Sequence, residues 1–179
     1  MTLTLRCATA GDLMAVGSLH QRSRVAAYSS FLPADALAEP TPEAMGRYWA
    51  ERWHWERDTH TLTVAERDGE LAGFSYVGPD DEDDPATGLL YALHLEPAER
   101  GRGVGRELMI YALDGMRARG WRRAALWVLR ENAHGRRFYE RGGWTPTGAE
   151  REDLIGTVLA TQLRYARAVR GRASSHRPR

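Results

Sequence analysis

The sequence predicts a single α/β domain, and three observations predict it. Strand-like and helix-like segments alternate along 179 residues; Asp68-Gly69 sits between two strand patterns as a hairpin signal; and a glycine-rich turn at 100–105 joins an apolar strand to an amphipathic helix, the best-defined element of the sequence. With 42% apolar and 27% charged residues, the chain can bury one core and is too short for two ordinary domains. The domain is expected over residues 1–166. From Arg167 to Arg179 large apolar side chains thin out and arginine and small residues dominate, which predicts a disordered tail.

The elements follow in order. Thr2 to Cys7 alternates apolar and polar residues as a half-buried strand does, and Gly11-Asp12 opens a helical pattern through Leu13, Val16, Leu19 and His20. Phe31-Leu32-Pro33 and Glu39-Pro40-Thr41-Pro42 interrupt it; Thr41 caps a second helix toward Trp55, with Pro42 at its first position. Thr61–Arg67 and Leu71–Val77 pair about Asp68-Gly69. An acidic loop from Pro79 to Pro85 follows, then Leu89 to Leu95, apolar enough for a central strand, ended by Pro97. Leu108, Met109, Ala112, Leu113 and Met116 form the apolar face of the helix after the glycine turn, which Gly120 stops. Ala124–Leu129 reads as a buried strand, Asn132 caps a short helix to Arg141 ended by Gly142-Gly143, and two closing strands cover 144–147 and 156–165.

Composition excludes several chemistries. All 25 basic residues are arginine, so Schiff-base enzymes, pyridoxal phosphate sites and the nucleotide-hydrolase phosphate loop are ruled out. A net charge of +1 provides no global field toward nucleic acid or membrane, so neither is an expected partner. One cysteine, Cys7, makes no internal disulfide, and the six histidines have no metal-ligand spacing; no metal is expected. The chain lacks a signal-peptide pattern and any run of about eighteen apolar residues, which predicts a cytoplasmic protein.

In Arg100-Gly101-Arg102-Gly103-Val104-Gly105, glycines at alternate positions free the main chain and let a ligand approach it, while the helix N–H groups point at an anion, best a diphosphate. A dinucleotide fingerprint would need glycine where Arg106 stands. Arg100, Gly103 and Gly105 instead match the coenzyme A signature of the GNAT superfamily of acyl-CoA-dependent N-acyltransferases: Gln or Arg, two variable residues, Gly, one variable residue, Gly or Ala. The later block from Asn132 through Phe138-Tyr139 to Gly143-Trp144 resembles that family's second motif. The resemblance implies a GNAT-like fold: a central mixed, mostly antiparallel sheet with splayed parallel central strands and flanking helices. It also implies acetyl-CoA as acyl donor, held by Leu93, His94, Leu95, Arg100, Gly101, Arg102, Gly103, Val104, Gly105, Arg106 and Asn132, with the polarising N–H at Leu95.

Tyr139 is the expected general acid, since a phenol with a pKa of about 10 keeps its proton at neutral pH and can give it to a departing thiolate. Phe138 points about 100° away and can enter the core. The general base stays open. The glutamate that family members often carry early in this strand is absent from Leu89–Leu93, leaving Glu96, His94, Tyr91, an acidic-loop carboxylate acting through water, or an amine that arrives neutral. Trp49 and Trp53 read as core or as an aromatic wall for a cationic amine, and Asp80 to Asp84 as a solvated loop or a lure for a polyamine. Three readings follow: an acetyltransferase for a primary amine of a small molecule, polyamine, amino acid or peptide; a non-catalytic acyl-CoA sensor; and a nucleic-acid binder acting through the arginine-rich tail. The fold is also compatible with a homodimer.

Overall fold

The computed structural model describes residues 2–169. Seven strands form one sheet: β1 (Leu3–Cys7), β2 (Thr61–Arg67), β3 (Glu70–Pro79), β4 (Thr87–Leu95), β5 (Arg123–Leu129), β6 (Thr145–Ile155) and β7 (Val158–Ala168). Their spatial order is β1-β2-β3-β4-β5-β7-β6, antiparallel throughout except for the central pair β4 and β5. The described α-helices are α1 (Leu13–Tyr28), α2 (Ala34–Ala38), α3 (Pro42–Glu56), α4 (Val104–Ala118) and α5 (Ala133–Arg141). This is the mixed, mostly antiparallel sheet with a parallel centre that the family resemblance implies.

Local chemistry explains most of the boundaries. Asp68 and Gly69 both take positive φ, 52° and 86°, as the tight β2–β3 turn requires. The Thr41 hydroxyl accepts the Ala44 N–H at 3.2 Å, with Pro42 following as the first residue of α3. Three boundaries differ from expectation. The short α2 fills the gap between the first two predicted helices. β6 and β7 each run 11 residues, because β6 is an almost wholly exposed edge strand and so lacks the apolar alternation that marks a strand in sequence. β7 continues through Ala168, past the expected domain end at residue 166, and Val169 is buried with its N–H on the Arg122 carbonyl. The predicted disordered tail beyond residue 169 lies outside the described residues.

Helices α1 and α3 cover one face of the sheet, where Val16, Leu19, Trp49, Phe74 and Tyr76 pack together. Trp49 is fully buried and its indole N–H donates to His20 Nδ1 at 3.1 Å, so it packs the core rather than forming a wall for an amine. Trp53 is partly buried at the edge of the same cluster. Helix α4 covers the opposite face with Val104 and Leu108 on one side and Met109, Ala112 and Met116 on the other.

The centre of the sheet opens. The parallel ladder pairs Thr87 with Arg123 through Leu90 with Leu126 and then stops, whereas β4 stays on β3 as far as Leu95 and β5 stays on β7 as far as Leu129. A bulge falls at the same level: Val77 faces Leu90 and Tyr76 faces Ala92, which leaves Tyr91 as the extra residue. A V-shaped gap therefore separates residues 91–95 from residues 127–129.

Candidate functional site

The gap forms a groove of about 520 Å³ that runs from the glycine turn to the β6–β7 end of the sheet. Of the residues expected to bind the donor, Leu93, His94, Leu95, Arg100, Gly101, Gly103, Gly105, Arg106 and Asn132 line it, and so does Tyr139. Arg102 and Val104 do not line it: the Arg102 guanidinium bonds Glu99 at 2.6 Å, and the Val104 side chain is buried beneath α4. Sequence reasoning missed Ser23 and Tyr28 on α1, Trp127 on β5, His134 and Arg141 on α5, and Gln162 on β7. Trp127 had a signal, as the one aromatic residue in its strand; Ser23 and Tyr28 had none.

At the glycine-turn end the main chain supplies the polar groups. Gly101 and Gly103 adopt φ of 75° and 87°, a region that side chains disfavour, and Gly103 is the residue from which α4 springs. The first bond of α4 runs from the Glu107 N–H to the Gly103 carbonyl, so the N–H groups of Val104, Gly105 and Arg106 have no acceptor within the helix. They present the positive end of a 15-residue helix to the groove. Gly105 needs its small size for a different reason, because a Cβ there would press on Leu95 at 3.3 Å. The lining adds Arg106, Arg141 and His134, and among the described residues no Asp or Glu lines the groove.

Along β4, the Glu96 N–H donates to the Ala72 carbonyl at 2.9 Å. Hydrogen-bonding and outward residues alternate in an antiparallel pair, so the main-chain groups of Leu95 and Leu93 turn away from β3 toward the gap. The His94 side chain goes to the α1 face, stacks on Phe74, meets the His20 ring in a tilted contact at 4.1 Å between centroids, and places Nδ1 3.2 Å from the Ser23 hydroxyl. Burial, with Arg100 and Arg24 nearby, pushes its pKa down to about 3, so it is neutral under ordinary conditions.

Asn132 accepts the Gly135 N–H at 3.0 Å and so starts α5, which carries Phe138 toward α4 and Tyr139 into the groove. The Tyr139 ring lies 5.4 Å from Phe138 and 6.1 Å from Trp144. Burial, helped by neighbouring Tyr28, raises its pKa above the usual tyrosine range and keeps the phenol protonated. Tyr28 is raised by burial too, but Arg24 and Arg100 oppose the shift.

The other candidate bases are engaged. Glu96 is gripped by Arg22 through bonds of 2.8 to 3.2 Å, and the Tyr91 hydroxyl donates to the Pro79 carbonyl at 2.8 Å. The acidic loop is neither solvated throughout nor free. Asp80 forms a buried pair with Arg164 at 2.6 Å, Asp81 bonds Arg151, Arg164 and the Trp127 indole, and Asp84 takes Arg123 and the Thr87 hydroxyl. Among the described residues no cluster of His, Cys, Asp or Glu is arranged to hold a metal, and no helix is long and apolar enough to cross a membrane.

Comparison with known proteins gives concordant findings. The model of the acetyltransferase (GNAT) family matches residues 26–144. A mycothiol acetyltransferase of Beutenbergia cavernae is 51% identical over 63 residues, 35% of this chain and 21% of the relative. A second, from Thermomonospora curvata, is 37% identical over 98 residues, 54% of this chain and 30% of that protein. The chain thus spans a fifth to about a third of these two curated relatives. The PaiA N-acetyltransferase of Thermoplasma acidophilum, solved in complex with coenzyme A, superposes with a TM-score of 0.79 at 18% identity, covering 94% of this chain and 99% of that one. At that identity the likeness shows the fold alone.

Proposed function

Since the chain belongs to the acetyltransferase (GNAT) family, we propose that it moves the acetyl group of acetyl-CoA to a primary amine by direct attack in a ternary complex. The observation that carries this reading is the groove itself, opened where the β4–β5 ladder ends and running to the unpaired N–H groups of α4. Its residues fit such a donor. Val104, Gly105 and Arg106 N–H groups, with Arg106, Arg141 and His134 at the rim, suit a phosphorylated anion; the outward main chain of Leu93 and Leu95 suits an extended amide arm.

When bound, acetyl-CoA supplies an activated thioester acetyl group. The Leu95 N–H, turned toward the gap, would stabilise negative charge on the thioester oxygen as a preorganised donor that need not reorganise during reaction. Tyr139 holds the proton that the leaving sulfur takes, and burial keeps that proton in place through neutral and mildly alkaline pH. His94 is held too acidic to collect the proton of an ammonium ion. With Glu96 and the acidic loop engaged elsewhere, the amine enters neutral or loses its proton to water, at a groove end walled by Tyr91, Trp127 and Gln162. The single exposed Cys7 is compatible with a reducing, cytoplasmic setting.

The test has two stages. Acetyl-CoA at concentrations far above micromolar raises the melting temperature, as a ligand of the folded state must; no shift ends the donor assignment. Thiol release across a panel of amines, from polyamines to amino acids and peptides, then separates enzyme from sensor. Turnover above hydrolysis with at least one acceptor is expected, and none with any acceptor would favour the non-catalytic acyl-CoA sensor.

A further inference from the structure

Arg100 occupies the first position of the glycine motif, where an arginine is naturally assigned to the donor's phosphates. Its guanidinium is engaged elsewhere. It donates to the carbonyl of Ser23 at 3.0 Å and to that of Ala26 at 3.3 Å, both near the C-terminal end of α1. The last four carbonyls of a helix lack intrahelical partners and carry its negative pole, so a cation here satisfies Ala26 and complements the dipole. Arg106, by contrast, lines the groove with no ion-pair partner among the described residues.

Two further polar ties join the same stretches. Arg22 grips Glu96, and the Ser23 hydroxyl meets His94. Residues 22, 23 and 26 of one helix are thus stitched to residues 94, 96 and 100 around the glycine turn. Below these ties, Ser23, Ala26, Ala27 and Tyr28 form one wall of the groove. Within this stretch of α1, Val25 is 40% exposed and Ala26 is also exposed, so apolar burial alone does not hold it in place.

We infer that Arg100 is a positioning residue: it clamps the last turns of α1 to the glycine turn, so that the wall bearing Tyr28 and the donor cradle keep one fixed spacing. The inference rests on the proposed acetyl transfer for its kinetic arm only. Fixing α1 in this way orients Tyr28 toward Tyr139 and the open end of the groove, and an incoming amine meets a preformed wall.

The experiment compares wild type, Arg100→Ala, Arg100→Lys and Arg106→Ala. Coenzyme A binding is followed by calorimetry, and amide exchange over residues 24–31 is measured without ligand. In Arg100→Ala, coenzyme A affinity stays within about threefold of wild type while exchange at 24–31 quickens by about tenfold or more. Arg100→Lys, which keeps a cation and a donor, recovers part of the protection. Arg106→Ala weakens coenzyme A and leaves exchange at 24–31 unchanged. With the best amine of the panel, Arg100→Ala raises the KM for amine and spares that for acetyl-CoA. A loss of coenzyme A affinity of tenfold or more in Arg100→Ala, or exchange at 24–31 equal to wild type, overturns the assignment. Should Arg100→Ala not fold, Arg100→Lys and Glu96→Gln carry the exchange test, each expected to loosen the same residues by a smaller factor. If wild type itself binds no coenzyme A, the proposed function fails, and the exchange result still decides the clamp.

Discussion

Replacing Tyr139 with phenylalanine removes one oxygen and little else. The ring retains its neighbours Phe138 and Trp144, and the hydroxyl has no hydrogen-bond partner among the described residues, so folding stability should change by less than about 1 kcal/mol. The proposed donor cradle at Gly103 to Arg106 lies on another helix and is untouched, so coenzyme A affinity is expected to hold within about threefold. Loss of a positioned proton donor typically costs about 10²- to 10⁴-fold, and since the groove is open enough for water to substitute, kcat should fall about 10²- to 10³-fold, or about 3 to 4 kcal/mol in the barrier. Steady-state thiol release gives kcat, calorimetry gives affinity, and a melting curve checks the fold. The wild-type pH profile supplies a second arm. An acid must hold its proton to act, and burial raises the Tyr139 pKa, so this group causes no loss of turnover below about pH 10. A Tyr139→Phe enzyme with kcat within threefold of wild type would show that the phenol only packs.

Three other outcomes follow from the structure. Gly103→Ala places a Cβ in open space but at a φ of 87°, so its cost of about 1 to 2 kcal/mol is purely conformational, and the disturbed α4 N–H groups should weaken coenzyme A about tenfold by calorimetry. Arg164→Ala strands the buried Asp80 carboxylate and should lower unfolding free energy in urea by about 3 to 5 kcal/mol, with Arg164→Ala/Asp80→Ala recovering part of the loss. His94 and His20 have pKa values lowered by burial, so the unfolded chain takes up protons near pH 6.5 before the folded chain does; stability therefore falls as pH drops below about 6.5, by up to about 1.4 kcal/mol per pH unit for each imidazole. Urea melts between pH 5 and 8 should show that slope, and His94→Asn should remove one proton's share of it.

What could be read in the sequence was whatever the backbone itself demands. Gly101 and Gly103 stand at positive φ, Asp68-Gly69 makes a two-residue turn, and Asn132 caps α5; each residue type answers a local conformational need, and each announces its place. Phe138 and Tyr139 were legible because neighbouring helical positions must diverge. Contacts between distant segments were not. Nothing in Asp80-Asp81-Glu82 foretells Arg164 more than eighty residues later, and the stretch that reads as a solvated loop or a lure for a polyamine is tied into an ion-pair network. The face that α1 turns to the groove depends on Arg22, Ser23 and Arg100 finding partners across the fold, so Tyr28 gave no sign of its position. β6 was shortened in prediction because an edge strand exposed along both faces has no alternation to read.

The end of the parallel ladder at Leu90 and Leu126 has a mechanical meaning as well. Among the described residues four pairs, Thr87–Arg123 through Leu90–Leu126, make up the parallel ladder between β4 and β5, extended by the Ala86 carbonyl, which accepts the Arg122 and Arg123 N–H groups, while the ladders on either side of it have seven pairs each. Of the three central ladders that seam carries the fewest main-chain links, so side-chain packing of Val77 and Leu90 against Leu126 and Val128 bears more of the join there. A ligand bonded to the inner edges of β4 and β5 would act as a splint, adding main-chain links along the line where the centre of the sheet has fewest.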